Sequence, residues 1–508
     1  MIDLLRRVAM RALWLLIVLP VTCWAQAPTT AAPRSGPVQG RLVDNVAVFR
    51  GIPFAAPPVG DLRWREPQPL SPWGEVRQAV SNAPSCPQKR GLSLEGGGDP
   101  GALDEDCLYL NVFTPGADAG ARRPVMVWIH GGALIFGSGG LDIYDGSALA
   151  RRGMVVVTIN YRLGALGFFA HPALEKERPG GPANFGLLDQ IAALQWVQKN
   201  IAAFGGDPAQ VTVFGQSAGA QSVLALMASP LATGLFRGAI AESPYGVPSH
   251  TRAAASTTGT AIASKVGLPG AGASMGALRS IPAERLAALE GKGLSLAPGF
   301  VVGDRAVPLP LLEAFQKGRQ AAVPLVIGSN SDDASVALAF GIDPTQLVQQ
   351  MGRARILVRS YYPGVTDDNQ LGREVARDVV FTAFARRIAY LHIAKAPTWR
   401  YYFSRSGSSP NGAGHGAEVP FVHGTLEKCQ CLGGPVTPLD RDVERRMGDR
   451  WAAFASTGTP AGLPTWEPDN RIRGWALEIG DDETGRPGFM TARLNAFITA
   501  LNIVGRRK

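Results

Sequence analysis

Apolar positions along this chain fall into two kinds of pattern. The first is the short unbroken run, rich in β-branched and aromatic residues. Pro124–Ile129, Met154–Ile159, Val211–Phe214, Val323–Ile327 and Trp399–Phe403 are of this kind, and Ala239–Ile240 begins another. Runs of four to six such residues are too short for helices and predict strands buried on both faces. The second pattern has helical spacing. Leu187, Leu188, Ile191, Leu194, Val197 and Ile201 mark a helix over residues 184 to 203. Residues 220–228, 283–289, 344–395 and 440–456 read the same way. Residues 38 to 80 are cut by Pro and Gly into short strands and loops, with Phe49–Gly60 loop-like. Strands alternating with helices imply an α/β fold: a large, mostly parallel central sheet with helices on both faces. No internal repeat is visible.

The N-terminus departs from this pattern. Arg6, Arg7 and Arg11 precede the apolar run Ala12–Val21, and Cys23, Trp24 and Ala25 follow it. A basic region, a short apolar region and a small-residue site describe a secretory signal with cleavage after Ala25, too short to span a membrane. A lipid-anchored Cys23 is the alternative. Residues 26–37, rich in Ala, Pro and Thr, read as a flexible tether. Residues 38–508 then form a single domain with helical, lid-like insertions at about 250–320 and 344–395. Export to the periplasm or the medium is the expected destination, without stable membrane insertion.

Composition adds few constraints. Hydrophobic residues at 46% and charged residues at 18% describe an ordinary globular protein. The net charge of +9 falls to about +7 without the first 25 residues, which hold three Arg and one Asp. The basic residues are scattered and only Arg506–Lys508 cluster, so a nucleic-acid partner is not expected. Of five cysteines, Cys23 leaves with the signal. Export favours disulfides, and Cys86, Cys107, Cys429 and Cys431 allow three pairings. A Cys86–Cys107 bridge would close a Gly-rich loop, worth about 3 kcal/mol. It leaves Cys429 and Cys431, one residue apart.

Candidate chemistry centres on Val211–Gly219. A strand runs into Gly215-Gln216-Ser217-Ala218-Gly219, and a helix follows. Such a turn lifts the Ser217 hydroxyl off the strand end, and the helix N-terminus favours negative charge beside it. A serine needs a base, and the base needs an acid to hold its tautomer. In the chain order Ser, acid, His, only His392, His415 and His423 come late enough. His392 lies in a helical pattern; His415, between glycines, has room for an active ring. The acid should follow the strand ending at Ile327, where Asp332 and Asp333 are both available. Spacing does not choose between them. His130-Gly131-Gly132-Ala133, after a strand, would supply oxyanion N–H donors together with Ala218, each worth roughly 3 kcal/mol. His415, His423, Cys429 and Cys431 match no recognised metal spacing, and no cofactor is required.

With these residues in view, the chain resembles the type-B carboxylesterase family, from about residue 38 to about residue 466. Phe204–Gly219 fits the family's serine signature and Glu105–Val112 its second signature. Asn160–Gly164, Asn184–Gln190 and His415–Glu418 also look like family blocks. The resemblance implies an α/β-hydrolase fold and a serine ester hydrolase working through an acyl-enzyme on neutral aryl or alkyl esters. It makes Ser217 the nucleophile, His415 the base and Asp333 the acid, with Gly132, Ala133 and Ala218 as oxyanion donors. Ser243 would support the triad. Cys86–Cys107 would be the first disulfide, and Arg63–Glu105 and Arg162–Asp189 buried ion pairs. Lipase, thioesterase or amidase action on the same fold, or a catalytically silent adhesion module, are the competing readings. The oligomeric state stays open.

Three departures from the family pattern matter. Asp333 stands where most members carry glutamate, Ala133 replaces the third glycine of the oxyanion loop, and Gln216 replaces the glutamate beside the serine in cholinesterases. The Cys86–Cys107 loop has no Trp, Tyr or Phe. A quaternary ammonium therefore finds neither a carboxylate nor an aromatic face, which argues against choline esters.

Overall fold

The apolar runs become the middle of one eleven-stranded sheet. The computed structural model describes residues 29–505 apart from 92–97, 247–248, 290–298, 340–342, 430 and 473. The expected signal, the start of the tether and the basic tail lie outside the described residues. Within the sheet we number β1 (Arg41–Val43), β2 (Val46–Pro53), β3 (Tyr109–Thr114), β4 (Arg123–Ile129), β5 (Val155–Ile159), β6 (Gly206–Gln216), β7 (Gly238–Glu242), β8 (Leu325–Asn330), β9 (Thr398–Phe403), β10 (Ala476–Ile479) and β11 (Glu483–Arg486). The spatial order is β11-β10-β9-β8-β7-β6-β4-β5-β3-β2-β1. Pairing is parallel from β10 across to β5. It is antiparallel at both flanks. The sheet is thus mixed, with the expected parallel centre.

Burial on both faces follows from the two-residue period. Along β4, Val125, Val127 and Ile129 join one core. Met126 and Trp128 between them join the other. Helices Phe185–Asn200 and Ala218–Ala228 cover the first face with Leu187, Leu194, Val223 and Leu224. Helix Pro438–Thr457 covers the second with Val443, Met447, Trp451 and Phe454. Each such side chain contributes about 1.5–3 kcal/mol of burial. That last helix starts where its sequence says it should. Thr437 and Asp440 form a reciprocal cap, with Pro438 in the first turn.

Both stretches expected as insertions contain helices. They include Arg252–Lys265 and Met275–Arg279 in the first, and Asp368–Arg377 and Ala383–His392 in the second. Arg63 ties the first to the N-terminal loops. It grips Glu105 through two bonds of 2.6 Å and donates to the Arg279 and Ile281 carbonyls. Arg162 holds Asp189 in the same forked way, at 2.8 and 2.7 Å. In the second insertion a π-helical turn, Asp378–Thr382, precedes helix Ala383–His392. The C-terminal helix Thr491–Gly505 docks there, with Arg493 paired to Asp378 at 2.8 Å.

One expectation needs correcting. From residue 29 the supposed tether is built into the fold. Thr30–Ala31 pairs antiparallel with Val38–Gln39, which in turn pairs with Arg77–Gln78. Ala31 and Val38 are buried, and the Trp73 indole donates to the Pro37 carbonyl. Low complexity masked two apolar anchors spaced to close a hairpin. Among the described residues no helix is long and apolar enough to cross a membrane.

Candidate active site

The candidate residues gather at the carboxyl ends of the central strands, where open parallel sheets offer a crevice. Ser217 follows β6, and its tight turn is enforced by contact. A Cβ on Gly215 would lie 2.5 Å from the Ile129 carbonyl oxygen, and one on Gly219 only 2.0 Å from it. Ser217 itself holds φ 57° and ψ −121°, a costly conformation for a residue with a side chain. Its N–H is anchored to the Glu242 carbonyl at 2.8 Å, and its own carbonyl accepts from Gln221 at 2.9 Å to start the helix. The strain is therefore locked in by β7 and by the helix.

The loop after β4 lies against this turn. A Cβ on Gly131 would meet the Ser217 Cβ at 3.2 Å. Gly132 has φ +97° and no room for a side chain, since the Phe136 carbonyl oxygen would sit 2.0 Å away. Ala133 and Leu134 continue at φ 52° and 63°. The Gly132 carbonyl accepts from Ile135 and Phe136, so the turn closes on itself. His130 stabilises its base: Nδ1 bonds the Gly131 carbonyl at 2.8 Å and the ring stacks on Tyr161 at 4.3 Å. Burial pushes the His130 imidazole down, to about 4, so it is neutral at physiological pH.

His415 and Asp333 meet as the chain order requires. His415 Nδ1 lies 2.8 Å from Asp333 Oδ1, and both side chains are almost wholly buried. Asp333 Oδ2 accepts from the Asn330 N–H at 2.7 Å and from Ser243 Oγ at 2.9 Å. Three donors make this a site for a charged carboxylate. With the His415 proton on Nδ1, Nε2 is an acceptor; Gln216 Nε2 stands 3.2 Å from it and donates to it. The ring thus spans from the acid to the elbow. Phe381, from the π-helical turn, packs against the ring, 5.0 Å between centroids and tilted by 48°.

Asp332, the open alternative, is directed elsewhere. Its backbone bridges to the His415 loop through the Ala413 carbonyl, but its carboxylate is held by Arg373. Burial pushes its acid up, to about 6, even against Arg373. His392 serves packing, its Nε2 meeting the Val323 carbonyl at 2.8 Å. His423 is buried among the rings of Trp128, Tyr144 and Phe214. Burial drives it down, to about 3. Cys86 is bonded to Cys107 and Cys429 to Cys431, so all four thiols are consumed. Among the described residues no group of three or more His, Cys, Asp or Glu is arranged to hold a metal.

Sequence reasoning passed over two residues behind the acid. Glu418 and Glu242 are fully buried. Ser243 Oγ, 2.9 Å from Asp333, is also 3.5 Å from Glu418 Oε1. The Asn330 amide binds Glu418 Oε2, and the Trp451 indole binds Glu242 Oε1 at 2.7 Å. Burial first, and then the Asp333 charge, push the Glu418 carboxyl up, to about 7. Burial, with Glu418, pushes Glu242 well above the usual range. The sequence signal was present: Glu242 is a lone acid closing the otherwise apolar β7.

Comparison with known proteins places the chain in a family. The sequence model of the carboxylesterase family matches residues 26–496. The chain belongs to the carboxylesterase family. It is 36% identical to a fumonisin B1 esterase of Sphingopyxis macrogoltabida over 89% of this chain and 87% of that one. It is 34% identical to the para-nitrobenzyl esterase of Bacillus subtilis over 84% and 89%. A thermophilic PNB esterase superposes with a TM-score of 0.80 at 31% identity, covering 92% of this chain and 99% of that chain. A Geobacillus stearothermophilus carboxylesterase gives 0.80 at 33% with the same coverage. The protein is an α/β-hydrolase-fold carboxylesterase that hydrolyses carboxylic esters.

Proposed function

We propose that this carboxylesterase works by two-step acyl transfer through Ser217, on neutral aryl or alkyl esters of small molecules. His415 takes the Ser217 proton as the hydroxyl oxygen attacks the ester carbonyl. Asp333 fixes the Nδ1–H tautomer and steadies the imidazolium. Negative charge on the former carbonyl oxygen is met by the N–H groups of Gly132, Ala133 and Ala218. His415 then protonates the leaving alcohol, and next draws a proton from the water that releases the acid. Gln216 has to yield the His415 Nε2 lone pair to Ser217 at the first step. The observation that carries the reading is the 2.8 Å His415–Asp333 bond at strand ends flanking the Ser217 elbow.

Substrate preference follows from the neighbours. Gln216 supplies no charge beside the serine, and the described part of the Cys86–Cys107 loop carries no aromatic residue. Neutral esters fit this site better than choline esters. The relatives named for fumonisin B1 and para-nitrobenzyl esters make ester panels of differing acyl and alcohol size the natural screen. Export after cleavage near Ala25 suits the two disulfides.

Ser217→Ala decides the mechanism. It should lower hydrolysis of p-nitrophenyl esters by about 10⁴-fold or more and abolish covalent labelling by a fluorophosphonate. Wild-type turnover by that variant rejects the scheme.

A further inference from the structure

Asp333, Glu242 and Glu418 are three fully buried carboxyl groups, and among the described residues no Lys or Arg is paired with any of them. The groups facing Glu418 are Asn330 at the end of β8 and Asp333 beyond it, Glu242 at the end of β7 and Ser243 beyond it, Tyr401 on β9, and His415 on its own loop. Three charges cannot be held there without a cation. Hydrogen-bond donors show where the single charge belongs. Asp333 has three, whereas Glu242 has the Trp451 indole and Glu418 has the Asn330 amide and one backbone N–H. The Ser243 hydroxyl carries one proton, and the 2.9 Å contact commits it to Asp333. At 3.5 Å from the same oxygen, Glu418 Oε1 either faces a lone pair as a bare carboxylate or donates to it as an acid. Ser243 is held at this junction at some cost, with φ 50° and its N–H on the Gly328 carbonyl at 3.0 Å.

We infer that Glu418 is a positioning residue of the esterase site, acting as a neutral acid: its proton is donated to Ser243 Oγ, which aims the Ser243 proton at Asp333 and leaves Asp333 the sole negative charge facing His415. The inference rests on the triad reading above. A relay of this kind fixes the Asp333 rotamer from behind. It also keeps a second charge from over-stabilising the imidazolium, which would hold His415 protonated and unable to act as base. The raised Glu418 acidity agrees with the geometry. The arrangement fails with rising pH, when Glu418 ionises, loses its donor and sets a second charge beside Asp333.

Infrared difference spectroscopy of the full-length enzyme tests the proton without reference to turnover. Wild type minus Glu418→Gln, at a pH below neutrality, should show a protonated-carboxyl C=O band that shifts in D₂O. Absence of the band overturns the inference. Kinetics give the second arm. The Gln amide donates to Ser243 Oγ as the acid would, so Glu418→Gln should keep kcat/KM within about threefold near neutrality. Glu418→Ala should lose about 10- to 100-fold in kcat with KM little changed. A Gln variant as poor as the Ala variant, while still folded by circular dichroism, also overturns it. If Glu418→Gln does not fold, Ser243→Ala removes the acceptor, and the wild-type carboxyl band must move to higher frequency; an unmoved band rejects the relay. Failure of the triad itself shows separately, as activity surviving in Ser217→Ala.

Discussion

Asp332 and Asp333 are adjacent carboxylates with unlike fates. Asp333 lies under His415 with three donors, and Asp332 turns to Arg373. Asp333→Asn should cut kcat by about 10⁴-fold while leaving the fold in place, because an amide cannot hold the imidazolium or enforce the tautomer. Asp332→Asn should spare most activity, measured with p-nitrophenyl esters, since its carboxylate faces Arg373 and not His415. Residue identity alone could not separate the two; the difference is one of direction from a turn. The proposed oxyanion loop gives a matching pair. Gly132→Ala drives a Cβ into the Phe136 carbonyl and should abolish activity. Ala133→Gly keeps the N–H and relieves a φ of 52°, so stability should stay within about 1 kcal/mol of wild type, and kcat within about tenfold.

At the level of elements, the legible parts were those whose pattern repeats. The buried runs became β4, β5, β6, β8 and β9, and the Leu187–Ile201 spacing became helix Phe185–Asn200. Strand–turn–helix at Ser217 was legible because two glycines are required by contact, not by habit. Gly219→Ala should therefore leave no folded, fluorophosphonate-reactive enzyme, because its Cβ overlaps the Ile129 carbonyl. Illegible were the features that depend on packing across the sheet. The strand at Thr30–Ala31 is two residues long and carries no period. The π-helical turn bearing Phe381 looks in sequence like more of the same helix. The Glu242–Glu418 pair joins β7 to a loop 176 positions later, a contact that no local pattern encodes.

For the molecule as a whole, pH acts through buried groups of opposite sign. His130 and His423 have folded values of about 4 and about 3, below the ordinary 6.5. Both are neutral in either state above that point. As pH falls from 6.5 toward 4, only the unfolded chain takes up their protons, so their stabilisation is lost in that window, on the order of a few kcal/mol. Asp332 and Glu418, raised to about 6 and about 7, work the other way: the folded state binds their protons first, and their contribution fades as pH rises through those values. His423→Phe fills the same aromatic cage without a titrating ring. Thermal melts from pH 7 to 4 should show a shallower fall in Tm for this variant than for wild type; parallel curves would exclude His423 as a source of the acid sensitivity.

The docking of helix Thr491–Gly505 also sets an order of events during synthesis. A ribosome makes Ser217, Asp333 and His415 long before it makes Arg493, yet Arg493 secures the turn from which Phe381 covers the His415 ring. A chain stalled short of residue 491 already carries every residue of the proposed triad but not the brace behind His415. Interrupted translation should therefore yield inert fragments, and esterase activity in a timed cell-free reaction should appear only after the last helix has cleared the exit tunnel.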